Sequence, residues 1–96
     1  MAIQSFEDAD TERFFRAGKL GKRVGWASIS RAARRKLDML HYAARFDDLK
    51  APPGNRLESL SGDLKDFHSS RINNQWRIVF HWTNAGPSDV RIIDYH

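Results

Sequence analysis

The 96 residues contain no cysteine. Disulfides and thiolate metal sites are therefore excluded, and a reducing compartment is the simpler setting. No apolar run approaches the roughly 20 residues that cross a bilayer, and the N-terminus lacks a signal-peptide core, so a cytoplasmic protein with no membrane attachment is expected. No glycine-rich phosphate loop follows a strand and no serine sits in a nucleophile elbow, which leaves nucleotide binding and acyl transfer without support. Repeats and low-complexity segments are absent as well. A chain of this length suits one domain, residues 1–96, with a single two-layer core.

One further absence is local. From Arg13 to Lys36 there is no acidic residue, yet nine bases occur there: Arg13, Arg16, Lys19, Lys22, Arg23, Arg31, Arg34, Arg35 and Lys36. The overall net charge is only +4, so it is this distribution that carries information. A one-signed surface suits a polyanion, and the plain alternative is a solvated helical face that keeps the protein soluble.

Read in order, Ile3 to Phe6 alternates as a short strand, and Asp8 or Asp10 offers an N-cap oxygen to a helix over Thr11 to Ala17. Gly18 is placed to end that helix in a left-handed turn. Lys19 to Gly25 reads as a mobile basic loop. Ser28 is the expected N-cap of a second helix, in which Ile29, Ala33, Leu37, Leu40 and Ala44 form one apolar stripe and Asp47 to Leu49 finish the element. Arg31, Arg34, Arg35 and Lys36 fall mainly off that stripe. Pro52, Pro53, Gly54 and Asn55 cannot continue a helix. Arg56 to Leu60 and Phe67 to Ile72 read as strands, with Asn73 and Asn74 reversing the chain. Two helices ahead of an antiparallel meander predict an α+β layered domain.

The last two strands concentrate the chemistry. Trp76, Ile78, Phe80 and Trp82 alternate with Arg77, Val79 and His81, which directs Arg77 away from the main apolar face. A turn over Asn84 to Ser88 predicts a hairpin in which Trp82 faces Val90, Phe80 faces Ile92 and Arg77 faces Tyr95. Cleaving RNA with side chains alone requires a base for the 2'-hydroxyl proton, a cation for the charge on phosphorus and an acid for the departing 5'-oxygen. Glu58, Arg77, Asp94, Tyr95 and His96 can supply them: Asp94, Glu58 or a neutral His96 as base, Arg77 as a two-pronged phosphoryl clamp, His96 or Tyr95 as acid. The plain alternative is a terminal strand whose Asp94 and His96 cap the sheet edge, with Arg77 paired to Glu58 or Asp94. The four histidines, His41, His68, His81 and His96, lack metal-ligand spacing, so no metal and no other cofactor is implied. His41 reads as a helix-surface residue, and His68 and His81 as strand residues with local hydrogen bonds.

The segments Ile3 to Phe6, Thr11 to Gly18, Arg34 to Leu40, Pro52 to Glu58, Arg71 to Ile78 and the ending Asp94, Tyr95, His96 resemble the HigB toxins of the RelE superfamily. That resemblance covers nearly the whole chain. It implies a microbial-RNase-like α+β fold, with two N-terminal helices on a mainly antiparallel sheet, and a ribosome-dependent mRNA endonuclease. It also implies a HigA-type helix-turn-helix antitoxin as partner, with operator DNA reached only through that antitoxin. By the resemblance, the family's cleft arginine falls on Arg77, and its terminal acid, tyrosine and histidine fall on Asp94, Tyr95 and His96. Glu58 stands where the best-known pattern has histidine, so His96 is the preferred acid and Asp94 or Glu58 the base. Lys22, Arg23, Arg31, Arg34, Arg35, Lys36 and Arg71 are then the candidate contacts to RNA and ribosome. A non-catalytic inhibitor on the same fold and a plain RNA-binding or antitoxin-binding module are the rival readings.

Overall fold

The computed structural model describes residues 1–51 and 53–94. Helix α1 spans Ala9–Ala17 and helix α2 spans Ser30–Tyr42. Strands β1 (Glu58–Ser59), β2 (His68–Arg71), β3 (Trp76–Thr83) and β4 (Gly86–Asp94) form one antiparallel sheet in the order β1-β2-β3-β4. The class is α+β, as the element pattern predicts.

Residue choice explains most of the boundaries. Gly18 closes α1 with φ 70 and ψ 17, a left-handed conformation that costs glycine nothing, and its N–H donates to the Phe14 carbonyl at 2.9 Å. Asp8 does occupy the N-cap position, with extended backbone, but its side chain makes no capping bond. Ser28 is not the cap of α2. It lies inside a 3-10 turn, Ala27–Ile29, that leads directly into the helix, so the residue in the cap position is Ile29. At the other end α2 stops at Tyr42 because Ala43 is extended, and Phe46–Leu49 is a separate 3-10 turn. There the Asp48 carboxylate accepts from the Ala44 and Arg45 N–H groups, at 2.9 and 3.0 Å, and starts the turn afresh.

Helix α2 buries Ala33, Leu37 and Leu40, and the stripe is continued by Ala43; Ala44, expected there, is exposed because the helix has already ended. These residues pack on Ile78, Phe80, Val90 and Ile92 of the sheet, together with Ile3, Phe14, Trp26 and Leu49. Trp26 meets Phe14 edge-on, with ring centroids 5.1 Å apart, which anchors the turn between the helices to α1.

The N-terminal residues form no named strand. They run parallel to β4 instead: the Gln4 N–H donates to the Pro87 carbonyl at 2.7 Å, the Val90 N–H to the Ser5 carbonyl at 3.1 Å and the Glu7 N–H to the Val90 carbonyl at 2.9 Å. This contact covers the edge that β4 would otherwise expose. It also requires Gly86, whose φ is +132 and where a Cβ would stand 2.5 Å from the Ala2 carbonyl oxygen. His41 supports the same segment by accepting the Ile3 N–H at Nδ1, 3.2 Å away, so it is a fold contact and not a free surface residue.

The hairpin differs from the expected register. Trp82 pairs with Pro87, Ile78 with Ile92, Arg77 with Ile93 and Trp76 with Asp94. Strand β4 starts at Gly86, earlier than expected, and Asp89 with φ 53 supplies an extra residue where the register shifts between Val79 and His81. The Asp89 N–H is taken up by the Ser5 hydroxyl at 2.9 Å. Near the site the true partner is Ile93 where Tyr95 was expected, an offset of two, and an even offset keeps the side chains at this end of the hairpin on their predicted faces, whereas beyond the bulge Trp82 is offset by three.

His68 packs edge-on against Phe46 at 4.7 Å, and among the described residues its buried Nδ1 has no hydrogen-bond partner, where a local bond was expected. Burial lowers its pKa first, with the nearby charges of His81 and Lys50 acting in the same direction. Unfolded chains therefore bind this proton more readily, and the contribution of His68 to stability is lost as pH falls below about 6.5. The melting temperature of wild type should drop more between about pH 7.5 and pH 5.5 than that of His68→Leu, as thermal melts would register. Leu37 is fully buried beneath the sheet. Leu37→Ala should cost about 2–5 kcal/mol in chemical denaturation.

Candidate active site

The face of the sheet turned away from α2 carries the polar chemistry. Strand alternation and the pairing put Glu58 opposite Ser69, Ser69 opposite Val79 and Val79 opposite Arg91. In the next row of that face Arg71 is opposite Arg77 and Arg77 opposite Ile93. Two arginines directly opposed across a strand pair repel each other, an arrangement that favours an anion between or above them.

A small cleft of about 170 Å³ opens at this row, lined by Arg56, Glu58, Arg71, Asn73, Asn74 and Arg77. Its size is that of a phosphate group with little more. Arg77 is only 6% exposed. Its Nε donates to the Ser69 hydroxyl at 2.8 Å, and one terminal nitrogen, Nη2, donates to the Arg56 carbonyl at 2.6 Å and the Ser69 carbonyl at 3.2 Å. The guanidinium is thus held in one orientation by the strand and turn behind it. Arg56 adopts φ 42, a conformation that costs a residue with a side chain about 1 kcal/mol or more, and this turns its carbonyl toward Arg77.

The turn that carries Arg56 is pinned from two sides. Asn55, 1% exposed, accepts a hydrogen bond from the Lys36 ammonium at 2.5 Å and donates to the Leu49 carbonyl at 3.2 Å. Burial, and secondarily the charge of Arg35, lowers the pKa of Lys36. On the far side of the cleft the Asn73 side chain accepts the N–H groups of Gln75 and Trp76, both at 2.8 Å, which makes the tight turn from β2 to β3. Asn74 accepts a hydrogen bond from the Arg71 guanidinium.

Of the candidate catalytic residues, the structure brings Glu58 and Arg77 to one cleft. Asp94 is paired with Trp76, one residue along from Arg77, so the pleat sends it toward the opposite face, where it accepts from the Gln75 side chain at 2.9 Å. Tyr95 and His96 lie outside the described residues, as does Pro52. Among the seven candidate RNA contacts, Arg71 alone lines the cleft. Lys36 is engaged with Asn55, Lys22 and Arg23 sit in the exposed turn between the helices, and Arg31, Arg34 and Arg35 share a separate groove on the outer side of α2.

Sequence reasoning did not assign Arg56, Ser69 or Arg91 to the site, and it gave Asn73 and Asn74 only the chain reversal that they do make. Arg56 had a visible signal, since it stands two residues before Glu58 and alternation aligns the two. The role of Ser69 depends on register, which no local pattern reveals.

The family model for the RelE-like toxin of type II toxin-antitoxin system HigB matches residues 4–96. Over 85 residues the chain is 40% identical to Toxin HigB-1 of Vibrio cholerae serotype O1, covering 88% of this chain and 87% of that protein. It is also 30% identical over 81 residues to an uncharacterized protein of Haemophilus influenzae, covering 84% and 79% of the two chains. The chain belongs to the HigB-like toxin family.

Asn55→Ala removes both bonds of a buried amide and leaves the Leu49 carbonyl unmatched, so it should lower unfolding free energy by about 1–3 kcal/mol in urea titrations.

Proposed function

We propose that this protein is the toxin of a type II pair that acts as a metal-independent endoribonuclease on ribosome-bound mRNA in the cytoplasm, and that a HigA-type helix-turn-helix antitoxin neutralises it. Operator DNA is reached only through that antitoxin. The observation that carries the activity is the oriented, buried Arg77 guanidinium set directly opposite Arg71 in a cleft that also contains one carboxylate, Glu58. Opposed cations with a nearby base suit a phosphodiester whose charge rises as it reacts.

The step assigned to this cleft is in-line transesterification. A base, Glu58 or Asp94, takes the 2'-hydroxyl proton and the 2'-oxygen attacks phosphorus, while Arg77 neutralises the equatorial oxygens. The bond to the 5'-oxygen then breaks, and His96, with Tyr95 as the other candidate, protonates the leaving oxygen. The products are a 2',3'-cyclic phosphate and a 5'-hydroxyl. Between the two bases, Glu58 is favoured by its place in the cleft beside Arg77.

The size of the site supports dependence on the ribosome. A volume of about 170 Å³ lies below the roughly 300–1,000 Å³ of pockets that enclose a small molecule. Such a cleft can grip one phosphate but cannot align an RNA strand, so the alignment that makes attack efficient must come from another body. Arg71, Arg56 and Arg91 extend the cationic face over neighbouring phosphates.

The test is primer extension on mRNA from cells expressing the chain, combined with single-turnover cleavage on programmed ribosomes. Wild type should cut only on ribosomes. Arg77→Lys retains a charge but loses the forked donor set, and should slow cleavage by about 10²–10³-fold with ribosome binding nearly unchanged. Growth arrest without mRNA cuts, or efficient digestion of free RNA, would overturn the proposal.

A further inference from the structure

We propose that the Phe67 and His81 rings form a stacking platform for one base of a single RNA strand whose reacting phosphate lies in the Arg77 cleft. The inference rests on the endoribonuclease reading above and carries the substrate contact along the sheet to a second, uncharged subsite.

Strand alternation puts Arg77, Val79 and His81 of β3 on the face turned away from α2. His68 is paired with Phe80, and one step further along the same ladder Phe67 comes beside His81 on that face. The two ring centroids are 5.6 Å apart with planes inclined by 36°, and both residues are half-buried, so the pair is seated on the sheet and still reachable from outside. Phe67 is the exception among the phenylalanines. Among the described residues the other five, Phe6, Phe14, Phe15, Phe46 and Phe80, belong to the core or pack against it, and Phe67 does neither. The sheet's remaining ring contacts, His68 with Phe80 and Trp82 with Phe46, lie on the helix side. A half-buried phenylalanine paired with a histidine on the polar face is therefore left without a role in the core.

What separates the rings from the cleft fits a strand of RNA. The row between them holds Val79, fully buried yet outside the cluster under the helices, with Arg91 opposite it. Arg91 is half-buried and has no ion-pair partner among the described residues. The face thus runs from the opposed Arg71 and Arg77, past a third arginine, to a pair of flat rings. Cations that follow the backbone and rings that take bases are the two parts of single-strand recognition, and histidine serves as such a ring as well as phenylalanine does.

The far end of this face suits a base and not a second phosphate. The turn that leads into Phe67 carries exposed Asp63 and Asp66 against one exposed cation, Lys65, so it does not gather anions. From Arg77 to His81 the strand advances about 13 Å by the rise of extended backbone. The stacked base accordingly belongs to another nucleotide than the one attacked, and the contact fixes the direction in which the strand leaves the cleft.

The experiment scans mRNA on programmed ribosomes with one nucleotide at a time around the cut made abasic, which removes the base and keeps sugar and phosphate. Single-turnover cleavage is titrated with wild type, Phe67→Leu and Phe67→Tyr, and thermal melts are recorded for each; His81→Leu alters the other half of the platform and makes the same comparison independently. A second arm measures binding of a short 2'-O-methyl RNA, which cannot be cleaved, by fluorescence anisotropy at low salt, with the same abasic positions. For wild type, one abasic position away from the attacked nucleotide should raise the protein concentration needed by about tenfold. Phe67→Leu and His81→Leu should need that higher concentration with intact RNA and show no further rise at that position, and Phe67→Tyr, which restores a ring, should recover the sensitivity to the base. If wild type cuts on ribosomes but the abasic profile of Phe67→Leu and His81→Leu matches that of wild type, the platform is overturned and the nuclease stands. A lower melt for Phe67→Leu with an unaltered abasic profile overturns it too, since the rings would then only cover Val79. Base-dependent anisotropy that vanishes in Phe67→Leu, from a wild type that cuts nothing on ribosomes, would refute the nuclease reading and leave the platform in place.

Discussion

The structure depends on holding one guanidinium inside the protein. Burying an unmatched cation costs several kcal/mol, and Arg77 is 6% exposed. The cost is offset by bonds to Ser69 and to the Arg56 carbonyl, each charge-assisted and contributing on the order of 1.5–3 kcal/mol. Those acceptors are available only because β2 lies beside β3 in one register and because the turn before β1 takes a strained conformation at Arg56. The turn is held in turn by Asn55, and Asn55 by Lys36 of α2. A chain of contacts therefore runs from the middle of the second helix, through half-buried Lys36, buried Asn55 and the Arg56 carbonyl, to the buried cation of the cleft.

Much of this frame was legible in the residues. The two helices, the αL glycine after the first, the inner stripe of the second and the meander order follow from periodicity and turn chemistry that act locally. Arg77 could be assigned to the face opposite the core for the same reason. What the residues concealed was long-range. The hairpin register depends on Asp89, which enters β4 as an extra residue because its N–H is taken by Ser5, some eighty positions earlier. No window of sequence contains both. The start of α2 was misplaced on similar grounds: Ser28 has the right chemistry for a cap, but a 3-10 turn anchored by the packing of Trp26 brings the chain into the helix one residue later.

The neighbours Arg35 and Lys36 show how far composition alone can mislead. In the sequence they belong to one basic run and invite one role. In the helix they are 100° apart, so Arg35 faces the outer groove while Lys36 reaches Asn55. Desolvation of Lys36 and the adjacent Arg35 charge both weaken its hold on the proton, which marks it as a structural donor more than a solvated docking charge. The run of nine bases is accordingly several surfaces. Two of its members, Arg13 and Arg16, are paired along α1 with Asp10 and Glu12 at 3.6 and 2.8 Å, and such exposed pairs do little beyond solvating a helix.

The layer arrangement constrains how neutralisation can work. Helix α2 covers one face of the sheet, and the cationic cleft opens on the other. A partner seated in the outer groove of α2 would leave Glu58, Arg71 and Arg77 untouched, so it would act by adding bulk to the toxin and not by filling the cleft. That mode would suit the nuclease proposed above, whose cleft is too small to align a strand. If productive alignment comes only from a confined position on the ribosome, then excluding the toxin from that position is sufficient, and the site itself needs no plug. The same geometry would leave the cleft of a neutralised toxin free to bind a small anion, which separates exclusion from occlusion without reference to activity.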